Sequence, residues 1–168
     1  MGETWVKTDM APLGGWGPKG ARPPGAAPFG HWNTSTFIAA LRPDRIDAPW
    51  IFDGPVNGDI FRTCVKRVFF PTRDPGDIVV MDNLGRHKSQ AVRRAIRTAG
   101  AHLLFLPPRR PDLDPIEQAI SKTEHGMRGA GARTRDTPRR AVGTIPDRFT
   151  PQECANDVRN PGYASVKP

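Results

Sequence analysis

Residues 77–89 read DIVVMDNLGRHKS, and the fold turns on how this stretch is read. Ile78 to Met81 form an unbroken apolar run that follows the turn signal Asp74-Pro75-Gly76. So short a run reads as a strand apolar on both faces, as a central strand covered by helices should be. Asp82 ends the run, so its carboxylate is expected at the C-terminal edge of a sheet, where open α/β sheets place ligands. From about His87 to Thr98 the period changes to that of a helix. Val92, Ala95, Ile96 and Ala99 make its inner stripe, Arg93, Arg94 and Arg97 lie away from it, and Gly100 terminates it. The next apolar run, AHLLFLPP (101–108), is a second strand closed by Pro107-Pro108. A strand, helix, strand series with short connections implies parallel neighbours joined right-handedly.

Outward from this unit, STFIAALR (35–42) and APWIFDG (48–54) read as two strands separated by a polar turn. Asn57 is placed to cap a helix over about 58–69, whose Ile60, Phe61, Cys64, Val65 and Val68 share one face until Pro71 stops it. The strands at 35–42, 48–53, 78–82 and 102–106 are expected in one sheet, with the 58–69 and 87–98 helices packed on it. MGETWVKT at the start supports only a short strand, and residues 11–30 are too rich in Gly and Pro for a helix. After PDLDPIE (111–117) a helix is expected from Pro115 to about Met127, with proline at its first position. RGAGARTR (128–135) interrupts it. A weaker helix is expected over 138–148, against Gly143 and Pro146, and TPQEC (150–154) begins one short final turn. The class is α/β.

Composition narrows the partners. The 168 residues suffice for one domain with a real core. Formal net charge is +8, and residues 1–85 carry 9 basic and 9 acidic side chains, so the whole excess lies in the second half. Such a half suggests a polyanion, nucleic acid before membrane, because it has no strongly amphipathic Lys-rich helix; a solubilising face is the plainer alternative. Cys64 and Cys154, far apart and outside any CxxC, indicate neither a disulfide framework nor a zinc site. No apolar run approaches 18 residues and the N-terminus has no apolar signal core, so a cytoplasmic location is expected.

Glu117, one turn into its helix, is the second candidate acid. The 34 residues between it and Asp82 hold one helix and one strand, enough to bring the two carboxylates together. Such a pair could share Mg²⁺ or Mn²⁺, hard ions suited to carboxylate and water, for phosphodiester cleavage and transfer. From spacing alone the alternative, a capping Asp82 and a solvent-facing Glu117, stands equal.

The strings GDIVVMDNLGRHKSQAVRRAIRTAGAHLLFLP and PDLDPIEQ, with ETWVKTDMAPLGGWGPKG ahead and FTPQECANDVRNPGYAS behind, resemble the catalytic domain of insertion-sequence transposases of the Tc1/mariner-like superfamily, specifically the IS630 family. The resemblance implies a ribonuclease H-like fold with a mixed central sheet. It also implies an Asp-Asp-Glu set binding two divalent metals, Mg²⁺ or Mn²⁺, with DNA and further transposase copies as partners. Carried onto this chain, the second acid is Asp82 and the third is Glu117. The family's Asp-Glu-Thr reads Gly2-Glu3-Thr4 here, so the first acid is absent, and the strand period of two turns Glu3 to the opposite face. Arg109-Arg110 precede PDL where the family commonly has a tyrosine-like residue and serine. The expectation is a single DDE-type domain over 1–168, a truncated transposase without its first catalytic strand or N-terminal DNA-binding region and without activity as this chain. The alternative is a non-enzymatic basic remnant that binds DNA or transposase subunits.

Asn83 and His87 match the family's asparagine and histidine after the second acid and could orient a carboxylate or a phosphate; a turn and a helix cap are their plainer roles. Lys88, Arg93, Arg94, Arg97, Arg109 and Arg110 are the candidates for phosphate contacts. Trp5, Trp16, Trp32 and Trp50 read as core and loop anchors rather than base platforms, and Asp53 as a turn residue.

Overall fold

The computed structural model describes residues 1–7, 10, 16–21, 33–130 and 143–163. Three strands, β1 (Gly2–Lys7), β2 (Thr34–Leu41) and β3 (Ile46–Asp53), pair antiparallel in that order. The β1–β2 register runs from Gly2 opposite Ala39 to Lys7 opposite Thr34. β2 lies between the other two and alternates cleanly. Ile38 and Ala40 enter one core while Phe37 and Ala39 enter a second on the other face. Between Ile38 and Ala40 the β2–β3 register shifts, where β3 absorbs an extra residue at Ala48, with φ +51°.

α1 (Gly58–Cys64) starts where its sequence signal puts it, with the Asn57 side chain accepting from Asp59 N and Ile60 N. The expected 58–69 helix then widens into a π-helical turn over Val65–Phe69 and tightens at Phe70–Thr72, around Pro71. β4 (Ile78–Met81), α2 (Gln90–Thr98) and β5 (His102–Phe105) follow, and β4 and β5 pair in parallel. α2 begins three residues later than the periodicity suggests. Ser89 is its N-cap, and residues 85–88 form a 3₁₀ turn that carries His87 inward.

Two expectations are corrected here. The α/β class holds, but among the described residues β4 and β5 hydrogen-bond as a sheet of their own, apart from β1–β3. Met1 N bridges the two, donating to Val80 O at 2.9 Å. Nor is β4 buried on both faces. Val79 and Met81 enter the first core, whereas Ile78 is 69% exposed, because α1 and α2 cover one side only.

Charge ties the two sheets where backbone pairing does not. Asp47 of β3 pairs with Arg73, which also lies 4.1 Å over the Phe69 ring, and Arg42 donates to Asp77 at 2.8 and 3.2 Å. Arg73 and Asp47 are both nearly excluded from water.

On the other face α3 (Ile116–Ala130) and α4 (Pro151–Arg159) bury Ile116, Ile120, Met127 and Cys154 against Val6, Phe37 and Ala39. α3 continues past Met127. The final turn is in fact a nine-residue helix, started by a reciprocal Thr150–Glu153 capping box with Pro151 at its first position. The expected 138–148 helix lies outside the described residues except at its end, where Pro146–Arg148 make a 3₁₀ turn. Cys64 and Cys154 are buried free thiols, and burial pushes Cys64 up to about 12. Among the described residues no helix is long and apolar enough to cross a membrane.

Candidate active site

Asp82 leaves β4 at the C-terminal edge, and its Oδ1 accepts from Leu84 N at 3.1 Å and from His87 Nδ1. His87 is fully buried and stacks on Phe61 with ring centroids 4.1 Å apart. Partial burial opposes ionisation of Asp82, but His87 and the Leu84 N–H outweigh it and hold the carboxyl below its usual range. His87 therefore caps no helix; it holds the Asp82 carboxylate, the orienting role its place in the sequence allowed.

Beyond the imidazole lies Glu3. Its Oε2 is 3.7 Å from His87 Nε2, an ion-pair separation too long for a hydrogen bond. The strand period does turn Glu3 and Gly2 to opposite faces. What the period could not show is that Glu3's face leads, through His87, to Asp82.

Glu117 stands one residue inside α3, at the lip of a cleft of about 380 Å³ that Asp82, Asn83, Arg109, Arg110 and Asp114 also line. Partial burial, then the charges of Asp114 and Asp82, push its carboxyl up. Electrostatically the two predicted acids thus face one space. Asp114 is the residue the sequence reading passed over. It is 3% exposed, burial pushes its pKa up, and its Oδ1 has no hydrogen-bond partner among the described residues. The only signal for it was its place inside PDLDPIE, three residues before Glu117.

Gly2 is closed from the other side. A Cβ built there would lie 2.6 Å from Ile116 Cγ2 and 2.9 Å from Ile120 Cδ1, so α3 packs into the space a side chain would need. Among the described residues no three His, Cys, Asp or Glu side chains gather closely enough to hold a metal ion. The donor set does not fit a two-metal centre. Asp82 is held by His87, Asp114 is buried in the cleft wall, and Glu117 stands at the lip.

The basic candidates fall into two groups. Lys88, Arg94 and Arg97 are exposed on or beside α2, while Arg93 is half-buried over the Phe105 ring at 4.8 Å. Arg109 and Arg110 form the cleft lip, but Arg110 is held by Asp112 at 2.8 and 3.0 Å, and Arg109 sits at φ +59°, a strained value for a side-chain-bearing residue. Trp5 and Trp16 are exposed rather than anchored, and Trp32 lies outside the described residues.

A family model described as DDE superfamily endonuclease matches residues 1–138. No curated protein matches the chain. Among solved structures, a pre-cleavage Mos1 transpososome superposes with a TM-score of 0.76 at 14% identity, covering 95% of this chain and 51% of that one. A Mos1 mariner paired end complex with Mn gives 0.69 at 15%, covering 94% and 50%. The Mos1 strand transfer complex gives 0.67 at 17%, covering 95% and 50%. The chain spans about half the length of these structures, and at such identities the likeness establishes the fold: the ribonuclease H-like α/β arrangement expected from the sequence.

Proposed function

The chain belongs to the DDE superfamily of endonucleases, and we propose that within it this is an IS630-type transposase domain that binds DNA without cutting it. The observation that carries the second half is Gly2. The position that the resemblance assigns to the first acid has no side chain, and the Ile116 methyl leaves no room for one. Asp82 and Glu117 remain as the proposed second and third acids, with Asn83 and His87 supporting Asp82. Mg and Mn are named in structures of the Mos1 catalytic domain and paired end complex, and a divalent ion is the cofactor an intact set here would take. DNA as partner is supported by the neighbours' descriptions as a strand transfer complex and a paired-end complex with a transposon end. The α2 arginines and the +8 charge agree with it.

Fluorescence anisotropy with a labelled duplex and nicking of supercoiled plasmid with Mn²⁺, beside an Asp82→Ala control, test both halves. Binding that weakens as salt rises, with no nicking, is expected. Nicking that disappears in the control would overturn the inactive reading. Absence of binding at low salt by folded protein would overturn the DNA reading.

A further inference from the structure

A pocket of about 200 Å³ opens between α2 and β5, lined by Arg93, Arg97, Ala101, His102 and Leu103. Small-molecule sites run to roughly 300–1,000 Å³, so this one is too small for most of them. At about 30 Å³ per water it has room for one phosphate group and a few waters. Arg93 and Arg97 stand four residues apart and are neighbours on one helix face, where like charges repel. Neither α2 nor the lining of the pocket contains an acid to balance them. Among the described residues neither arginine has a carboxylate partner. Arg93 instead donates its Nε to Lys88 O at 3.3 Å and lies over the Phe105 ring at 4.8 Å. These contacts fix the plane of the guanidinium without using its two Nη donors.

The sheet adds a third donor. His102 N and Leu106 N donate to Asp77 O and Met81 O at 2.7 and 2.9 Å. By the alternation of a parallel pair, Leu103 therefore sends its N–H to the other edge of β5, which no strand covers among the described residues. The last carbonyls of a helix ordinarily oppose an anion. Here those of Ala95, Ile96 and Arg97 are taken up by the Ala99, Gly100 and Ala101 N–H groups.

We propose that this pocket clamps a single phosphate group, that of a nucleic-acid backbone, between the Arg93 and Arg97 guanidiniums and the Leu103 N–H. The planar fork of arginine matches phosphate oxygens in pairs. Lys88 and Arg94, outside the pocket, add long-range attraction only. The inference rests on the DNA-binding reading and deepens it: a charged helix becomes one defined contact, of the kind that sets the register of a protein on a duplex.

NMR on the full chain tests it through the arginine Nε–H signals and the Leu103 amide, titrated separately with inorganic phosphate and with a short duplex. Inorganic phosphate should move the Arg93, Arg97 and Leu103 signals together and saturably while that of Arg94 stays in place, and the duplex should move the same three. In anisotropy Arg97→Ala should weaken duplex binding by about tenfold, as losing a hydrogen bond to a charged group does, and Arg94→Ala should cost clearly less. Arg97→Lys should not restore the loss, because an ammonium has no fork. Arg93→Ala combined with Arg97→Ala should lower the salt slope by about 0.9, one phosphate for the pair. If Arg93→Ala fails to fold, the titrations of the natural chain and the Arg97 variants still decide. Duplex binding that leaves the three signals unmoved, or equal losses in Arg94→Ala and Arg97→Ala, would overturn the clamp and leave the DNA reading standing. Signals that respond to inorganic phosphate in a chain that binds no duplex would overturn the DNA reading and assign the pocket to a free phosphate. No response to either would overturn both.

Discussion

Gly2→Ala offers the sharpest test of how the first acid's position is closed. Glycine in a strand ordinarily destabilises by about 0.5–1 kcal/mol relative to alanine, because it loses more chain freedom and packs nothing. A bland site would therefore gain stability. Here the new Cβ meets Ile116 Cγ2 at 2.6 Å and Ile120 Cδ1 at 2.9 Å. The Ile120 methyl is the far end of a flexible chain and can swing away. The Ile116 methyl sits on Cβ and moves only if Ile116 leaves the χ1 rotamer that a helix strongly prefers, or if α3 shifts. Overpacking of this kind costs typically about 1–3 kcal/mol, which against the backbone gain leaves a net loss centred on about 1 kcal/mol. With a urea slope of about 2 kcal/mol/M, the denaturation midpoint should fall by roughly 0.5 M without a change in slope. Ile116→Leu removes the offending branch at similar volume and alone should cost less than about 1.5 kcal/mol. Combined with Gly2→Ala it should restore part of the loss, a coupling of at least about 0.5 kcal/mol. A midpoint that rises in Gly2→Ala, or a pair of effects that merely add, refutes the steric reading and reopens the position for a carboxylate.

Arg73→Met should destabilise by about 3–5 kcal/mol in urea, because it strands the buried Asp47 carboxylate, while replacing both partners with apolar residues should cost clearly less. Arg93→Ala, Arg94→Ala and Arg97→Ala together should flatten the log–log salt dependence of duplex binding by roughly 0.9 for each phosphate contact removed. An unchanged slope would move the interface off α2. For Glu117 the folded pKa is raised by partial burial and then by Asp114 and Asp82, so its ionised form burdens the native state above that value. Glu117→Gln should therefore raise the midpoint at pH 7. The gain should vanish as pH falls through the raised pKa toward the unfolded value of about 4.3. A gain that persists at pH 3 would point to packing instead.

The sequence carried most of the elements because their signals are local. The change of period between Ile78–Met81 and the Val92–Ile96 stripe, the Asn57 cap and Pro115 each act within one turn or one strand. The start of α4 is signalled locally too, since Thr150 and Glu153 stand at the capping-box spacing of three, yet TPQEC taken alone reads as one short turn and the nine-residue helix exceeds it. Pairing between strands was not legible. Whether β4 joins β1 depends on residues distant in sequence, and an apolar run looks the same whether one face or both are covered. The same holds at the site. Asp82, Glu117 and the nearby His87 could be named from their places around element ends, whereas the approach of Glu3 to His87 joins residues 84 apart and leaves no periodic trace.

The His87–Asp82 contact also sets how the acids of the cleft are held. A carboxylate at a strand end with no cation must find a donor or relax into water. Asp82 has found His87, and its pKa falls accordingly. Asp114 has only the Ile116 backbone N–H against its deeper burial, and the Glu117 carboxyl is burdened by burial and by Asp114 and Asp82, so both rise. Within one cleft, then, one carboxyl is pushed down and two are pushed up. His87 is the hinge of that balance. Replacing it with asparagine keeps one donor toward Asp82 but removes the bulk stacked on Phe61. Replacing it with alanine removes both and returns Asp82 to the cleft as an unpaired anion. On this reading His87→Ala should show measurable Mn²⁺ quenching or broadening at Asp82 and Glu117 in NMR spectra where the natural chain shows none, and His87→Asn should fall between them. Equal Mn²⁺ responses in all three proteins would mean that His87 does not compete for Asp82, and the contact would then be no more than a packing arrangement of the 85–88 turn against α1.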